Sequence, residues 1–177
     1  EHNVSNALAA IALSDLLEIP PRQIQKGLSD FQGTNRRFEK KGELGGVTVI
    51  DDYAHHPTEI IATLQAARNY PHKTIWCVFQ PHTYTRTKAL MDEFAQALTL
   101  ADQVILADIY AARETDTLGI SSKDLAEKIT ALGTEAHYLP SFDAIENYLL
   151  EHCVPGDLLI TMGAGDVVKI GENLLGI

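Results

Sequence analysis

The 177 residues carry 24 acidic against 14 basic side chains, a net charge of −10, with 45% hydrophobic and 21% charged residues. That balance fits one domain, or one domain plus a fragment of another, with a full core. It argues against a nucleic-acid backbone as the main partner, which would need a basic face, and no apolar run approaches the ~18 residues of a membrane-inserted helix.

The chain begins at Glu1 rather than Met, as an excised domain would, and shows no basic-then-apolar leader. In chain order, Val4, Leu8 and Ile11 mark a first helix, and Pro20-Pro21 breaks the chain and starts a second through Leu28. Neither has a strand to pack on, and Gly33-Thr34-Asn35 reads as a linker. Residues 1–33 are therefore expected to be the tail of a preceding domain, and residues 34–177 a domain of their own. From Val47 onward, strand candidates Val47–Asp52, Thr74–Phe79, Gln103–Asp108, Glu135–Leu139 and Leu158–Met162 alternate with helices. The helices are marked by Ile60, Leu64 and Ala67, by Leu90, Phe94 and Ala97, by Leu125, Ile129 and Leu132, and by Phe142, Ile145 and Leu149. Ser121 with Asp124 predicts a capping box, Gly133 a helix stop and Ser141 an N-cap. Such alternation means right-handed crossovers, an α/β fold and a mostly parallel sheet, with ligands at the carboxyl ends of the strands. Cys77 and Cys153 form no CxxC pair and read as reduced thiols, which fits a cytoplasmic protein.

Polar residues do gather at those ends: 51–57 (DDYAHHP), 80–86 (QPHTYTR), 108–114 (DIYAARE) and 163–166 (GAGD). Asn3 and Asn6 share a helical face and suit an adenine edge, although Asn3 alone could be an N-cap. Arg36 and Arg37 suit a phosphate at a domain junction, or are solvated and paired with Glu39 or Glu43. Asp52 could accept hydrogen bonds from a ribose. His55 and His56 beside Asp52 invite a metal, but adjacent histidines diverge and spacing supplies no third ligand, so no metal site is assigned. Pro57 reads as the first residue of a helix. Arg86 suits a substrate carboxylate and His82 a second polar contact, or Arg86 neutralises Asp92 or Glu93. Gly163-Ala164-Gly165 resembles a phosphate-cradling turn, but Val168 stands where a dinucleotide fingerprint has its third glycine.

Six blocks now resemble one family in the same order: His2-Asn3-x-x-Asn6-Ala7-Leu8-Ala9-Ala10, Arg36–Glu39 (RRFE), Asp51–Ile60 (DDYAHHPTEI), Phe79–Thr87 (FQPHTYTRT), Asp108–Ala112 (DIYAA) and Met162–Asp166 (MGAGD). They are similar to the Mur ligases. Tyr53 with Glu59 favours members that join L-alanine to UDP-N-acetylmuramate over the murein-peptide-recycling ligase. The resemblance implies three domains: one for the UDP-sugar, a central P-loop ATPase and a C-terminal domain for the incoming amino acid. Residues 1–33 would be the last helices of the ATPase domain. Residues 34–177 would form a Rossmann-like, mostly parallel sheet of about six strands flanked by helices. ATP and Mg²⁺ are the implied cofactors. No GxxGKT-like run is present, so their main ligands belong to upstream domains of the same polypeptide and this piece alone should not catalyse.

By matching positions, the resemblance implies Asn3 and Asn6 at adenine, Arg37 near the terminal phosphates and Asp52 at the ribose. Tyr53, His55, His82 and Arg86 would surround the nascent amide and the alanine carboxylate, with His55 and Arg86 in catalytic roles. At Thr83 many relatives carry Arg. The competing readings are a non-catalytic α/β module for a nucleotide or anion, and a metal-dependent hydrolase built on His55, His56 and Asp52.

Overall fold

The computed structural model describes residues 2–31, 33–116 and 118–177, without the side chains of His2 and Asn3. The chain forms two compact units, Glu1–Thr34 and Asn35–Ile177. The first is a pair of helices in contact, α1 (His2–Leu16) and α2 (Pro21–Asp30). Pro21 opens α2, where its missing N–H leaves no bond unmade. Val4, Leu8, Leu13 and Leu16 are exposed and no residue of α2 is buried.

The second unit is built on a sheet of β1 (Glu39–Leu44), β2 (Val47–Asp52), β3 (Ile75–Phe79), β4 (Gln103–Leu106), β5 (Glu135–Tyr138) and β6 (Leu158–Met162), in the order β1-β2-β6-β3-β4-β5. All neighbours pair in parallel except β1, which runs antiparallel to β2. β3 and β6 are buried at every position, as expected of strands with helices on both faces. β1 was not among the strands read from the sequence. Its residues, EKKGEL, carry no apolar alternation, and it exists by pairing with β2 at the sheet edge, where charged side chains are tolerated.

Alternate residues of the central strands serve two cores. Ile75, Cys77, Phe79 and Ile160 pack with residues of α3 (Pro57–Arg68), α5 (Met91–Leu98) and α6 (Ser122–Ala131). Trp76, Val78, Ile105 and Leu159 pack with α7 (Phe142–His152) and α8 (Val168–Leu175) on the other face. Burial pushes the Cys77 and Cys153 thiols up to about 12, with Asp52 and Asp157 respectively adding to the shift, and neither is in a disulfide. The helix expected around Leu90 is interrupted there, giving a short α4 (Tyr84–Ala89) before α5.

The helix ends follow local chemistry. Pro57 opens α3 after His56, Ser121 and Asp124 cap α6 reciprocally, and Ser141 accepts from Ala144 N–H at 3.2 Å. Gly133 follows α6 with φ +97°, which a side chain would resist. What positions the site is the routing after the strands. The chain leaves β2 and β3 toward the face of α3 and α5, but leaves β6, which lies between them, toward α8 on the other face. Divergence of this kind opens a crevice at the carboxyl ends of the strands.

Two substitutions separate core from cap. Phe94→Ala removes a fully buried ring 5.5 Å from Phe79 and is expected to cost about 3–5 kcal/mol. Ser121→Ala is expected to cost about 1 kcal/mol. Urea unfolding checks both, and equal losses would contradict this division.

Candidate functional site

The carboxyl rim is assembled around Asp51, the next-to-last residue of β2, whose side chain is 0% exposed. Arg36 Nε donates to its Oδ2 at 2.8 Å and the Thr161 hydroxyl to its Oδ1 at 2.8 Å. Burial pushes the Asp51 carboxyl up, and Arg36 and Thr161 oppose that. The same guanidinium reaches across to β6, donating to the carbonyls of Gly163 at 2.8 Å and Gly165 at 3.1 Å. Asp52 differs from the expectation of a carboxylate open to a ribose. It is 5% exposed, and its two oxygens accept from Phe38 N–H and Ala54 N–H at 2.8 Å each. Burial pushes this carboxyl up as well, against those two bonds. Asp52 thus fixes the turn that leaves β2, because its acceptor sites face backbone donors rather than the crevice.

From that turn four of the expected residues come together. The Tyr53 ring lies 5.0 Å from the Arg36 guanidinium carbon and 5.7 Å from that of Arg37, and meets His55 edge-on at 5.5 Å. His55 Nδ1 is 3.0 Å from the Tyr53 carbonyl, and its ring is 6.2 Å from that of His82. His82 stacks on Tyr110 at 5.5 Å, and Arg86 Nη1 donates to the His82 carbonyl at 2.9 Å. The loop after β2 and the loop and short helix after β3 therefore deliver Tyr53, His55, His82 and Arg86 to one place. Burial, then Arg86 and His55, push the His82 imidazole down, and its buried Nδ1 has no hydrogen-bond partner. Among the described residues no acid lies within ion-pair distance of Arg86, so neutralisation by Asp92 or Glu93 does not occur; Asp92 pairs instead with Lys128.

Arg37 is 52% exposed and meets Glu59 only loosely, at 3.9 Å. Glu59 is mainly occupied by the N–H groups of His55 and His56, at 3.0 and 3.2 Å. Burial raises its carboxyl, but these bonds with His55 and Arg37 leave it lowered. His56 caps α3 through Thr58 and does not join His55 and Asp52. Among the described residues no three His, Cys, Asp or Glu side chains stand where they could share a metal ion. Asn6 is exposed on α1, and the Asn3 side chain lies outside the described residues.

The turn after β6 is not an open cradle. Its carbonyls are held by Arg36, and Gln80 clamps it from the other side, donating to Asp166 at 3.0 Å and accepting from Val167 N–H at 3.2 Å. A Cβ on Gly165 would fall 2.2 Å from Gln80 Oε1 and 2.9 Å from the Tyr110 ring, so glycine serves a close internal approach. Arg36, Gln80 and Tyr110 thus organise the rim through contacts that no local pattern in the sequence marks. Gln80 and Tyr110 are signalled only by membership of the polar runs around it, and Arg36 by its place beside Arg37 after the linker.

Comparison with known proteins agrees with this fold. A family model described as Mur ligase, glutamate ligase domain, matches residues 36–165. The chain is 66% identical, over 98% of its length, to UDP-N-acetylmuramate–L-alanine ligase of Lachnospira eligens, and 52% identical over 99% to that of Caldanaerobacter subterraneus. It spans 38% of each of these relatives. The crystal structure of UDP-N-acetylmuramate–alanine ligase from Thermotoga maritima superposes with a TM-score of 0.81 at 31% identity, covering 99% of this chain and 37% of that one. A murein peptide ligase from Psychrobacter arcticus gives 0.74 at 30%, covering 99% and 36%. With a family match running from Arg36 to Gly165, the two ends of the Arg36 clamp, the chain belongs to the Mur ligases.

Proposed function

We propose that this chain is the C-terminal part of an ATP-dependent ligase that joins L-alanine to UDP-N-acetylmuramate through an acyl phosphate, in peptidoglycan precursor synthesis. The observation that carries this reading is the meeting of Tyr53, His55, His82 and Arg86 at one rim, with Arg86 free of any acid among the described residues. The relatives from Lachnospira eligens and Caldanaerobacter subterraneus carry that activity in their names.

Each side chain has a part suited to its surroundings. Arg86 would receive the alanine carboxylate in its guanidinium fork. His82, held toward its neutral form, would accept a hydrogen bond from the amine. His55 and Tyr53 would form the wall beside the nascent amide. Held this way, the amine is at attacking distance before reaction, and orientation alone can supply several of the ~7–11 kcal/mol available from pre-positioning. ATP would supply the phosphoryl group that activates the lactyl carboxylate, and Mg²⁺ the charge to accompany it. Of this chain's residues, half-exposed Arg37 fits an approach to the terminal phosphates. Asp52 fits a supporting role behind that approach better than a direct ribose contact, since backbone N–H groups occupy its oxygens. Asn3 and Asn6 remain the proposed adenine contacts.

The first unit would be the closing helices of the central ATPase domain. Its exposed Val4, Leu8 and Leu16 support that assignment, because a two-helix piece with so little buried does not account for its own stability. A cytoplasmic setting follows from the substrates and is compatible with two unpaired thiols; among the described residues no helix is long and apolar enough to cross a membrane.

In the full-length ligase, Arg86→Ala is expected to raise the KM for L-alanine about ten- to a hundredfold, the worth of a lost charge-assisted hydrogen bond. An unchanged KM removes Arg86 from the amino-acid site. Supplying a murein peptide in place of L-alanine separates this reading from a recycling ligase: turnover of the peptide and not of the amino acid would overturn it. The 177-residue chain on its own is expected to bind ATP no more tightly than about millimolar, a binding free energy no more favourable than about −4 kcal/mol. Micromolar binding by calorimetry would contradict a phosphate site held mainly elsewhere.

A further inference from the structure

Thr83 stands at the N-cap of α4, yet its side chain makes no cap bond. A threonine there ordinarily turns its oxygen onto an N–H in the first helical turn. Here the Thr83 hydroxyl donates to Glu114 at 2.6 Å, and Glu114 accepts from the N–H of Thr85, the second residue of the helix, at 2.9 Å. The Thr85 hydroxyl is a third donor to the same carboxylate. The helix is capped by a side chain 29 residues further along, in the loop after β4. A local cap would have satisfied the same N–H. A cap from the next loop does something more, because it fixes where α4 begins relative to β4.

Other ties join the same two loops. Tyr110 N–H donates to the Pro81 carbonyl at 2.8 Å, the Tyr110 ring stacks on His82, and Lys88 Nζ reaches the Leu118 carbonyl at 3.4 Å. His82 and Arg86 stand between these ties, joined by the bond from Arg86 to the His82 carbonyl. Arg86 lies in the short helix whose start Glu114 holds, and His82 immediately precedes the cap residue.

We propose that Glu114 is a positioning residue of the amino-acid site: its carboxylate caps α4 from the neighbouring loop and so sets where Arg86 and His82 stand. The inference rests on the reading of Arg86 and His82 given above. The hydroxyls of Thr83 and Thr85 and the Thr85 N–H hold the Glu114 carboxyl down at about 2, so the tie is intact throughout the neutral range. Its charge also opposes burial, Arg86 and His55, which push His82 down.

Two measurements test the proposal. In the full-length ligase, Glu114→Gln is expected to raise the KM for L-alanine about tenfold while kcat and the KM for ATP stay within about twofold, as loss of one charge-assisted contact acting through Arg86 would do. Glu114→Asp, which keeps the charge, is expected to recover part of the loss. In the 177-residue chain, an NMR titration of the His82 imidazole, assigned by comparison with His82→Gln, is expected to move to lower pH in Glu114→Gln. Parallel changes in the KM of both substrates, or no change in that of L-alanine, would overturn the positioning role, as would an unmoved His82 midpoint. Should the wild-type ligase not use L-alanine at all, the amino-acid reading fails by itself, and the His82 titration still decides whether the tie exists.

Discussion

The Arg36 guanidinium reaches from the segment before β1 to the Asp51 carboxylate, and from there to the carbonyls of Gly163 and Gly165 after β6. Three stretches of chain that are distant in sequence meet on this one side chain. Its backbone carbonyl accepts the Tyr53 N–H at 2.7 Å, so the same residue also sets the start of the loop that carries Tyr53 and His55. Without the guanidinium, Asp51 would be an ionised group with no access to water, a loss on the order of 3–5 kcal/mol. The two adjacent arginines therefore divide the work. Arg36 is consumed in building the rim, and Arg37 stays half exposed with only a loose contact to Glu59.

The rest of the rim repeats that logic with smaller parts. Asp52 holds Phe38 and Ala54, Glu59 holds His55 and His56, Gln80 holds the turn after β6, and Glu114 holds the start of α4. Asp52, Glu59, Gln80 and Glu114 each accept from backbone N–H groups of the loops around the crevice. The aromatic and imidazole rings of Tyr53, His55, His82 and Tyr110 then form a continuous row over this base. A site so tied has its geometry in place before a substrate arrives, which is the condition for orientation to lower a barrier.

How much of this the sequence conveys depends on the range of the interaction. β2, β3 and β6 are legible because their residues are apolar, largely β-branched, and bounded by turns. The caps at Ser121 and Ser141 are legible because donor and acceptor lie three residues apart. β1 is not, since its charged residues form a strand only by pairing with β2. Nor could the break at Leu90 be read from a helical apolar spacing that runs straight through it. Tyr53, His55, His82 and Arg86 come near one another because strand ends converge by topology. Which of two neighbouring arginines is tied into the rim, and that Asp52 turns inward, depends on partners 14 to 129 residues away that no local pattern marks.

Charge adds a last constraint on how such a rim can work. The chain carries a net −10, yet the proposed ligands, an amino-acid carboxylate and nucleotide phosphates, are themselves anionic. At physiological ionic strength fields fade over ~8 Å, so the overall charge neither draws these ligands in nor keeps them out once they reach the crevice. What they meet there is local. The nearby acids Asp51, Asp52, Glu59 and Glu114 are each engaged by donors, while Arg37 and Arg86 hold no tight acid partner. An acidic domain thus keeps two arginines without a tight acid partner at this rim by directing the nearby carboxylates onto other donors. The hydrogen bonds that shape the loops are the ones that leave those two arginines available.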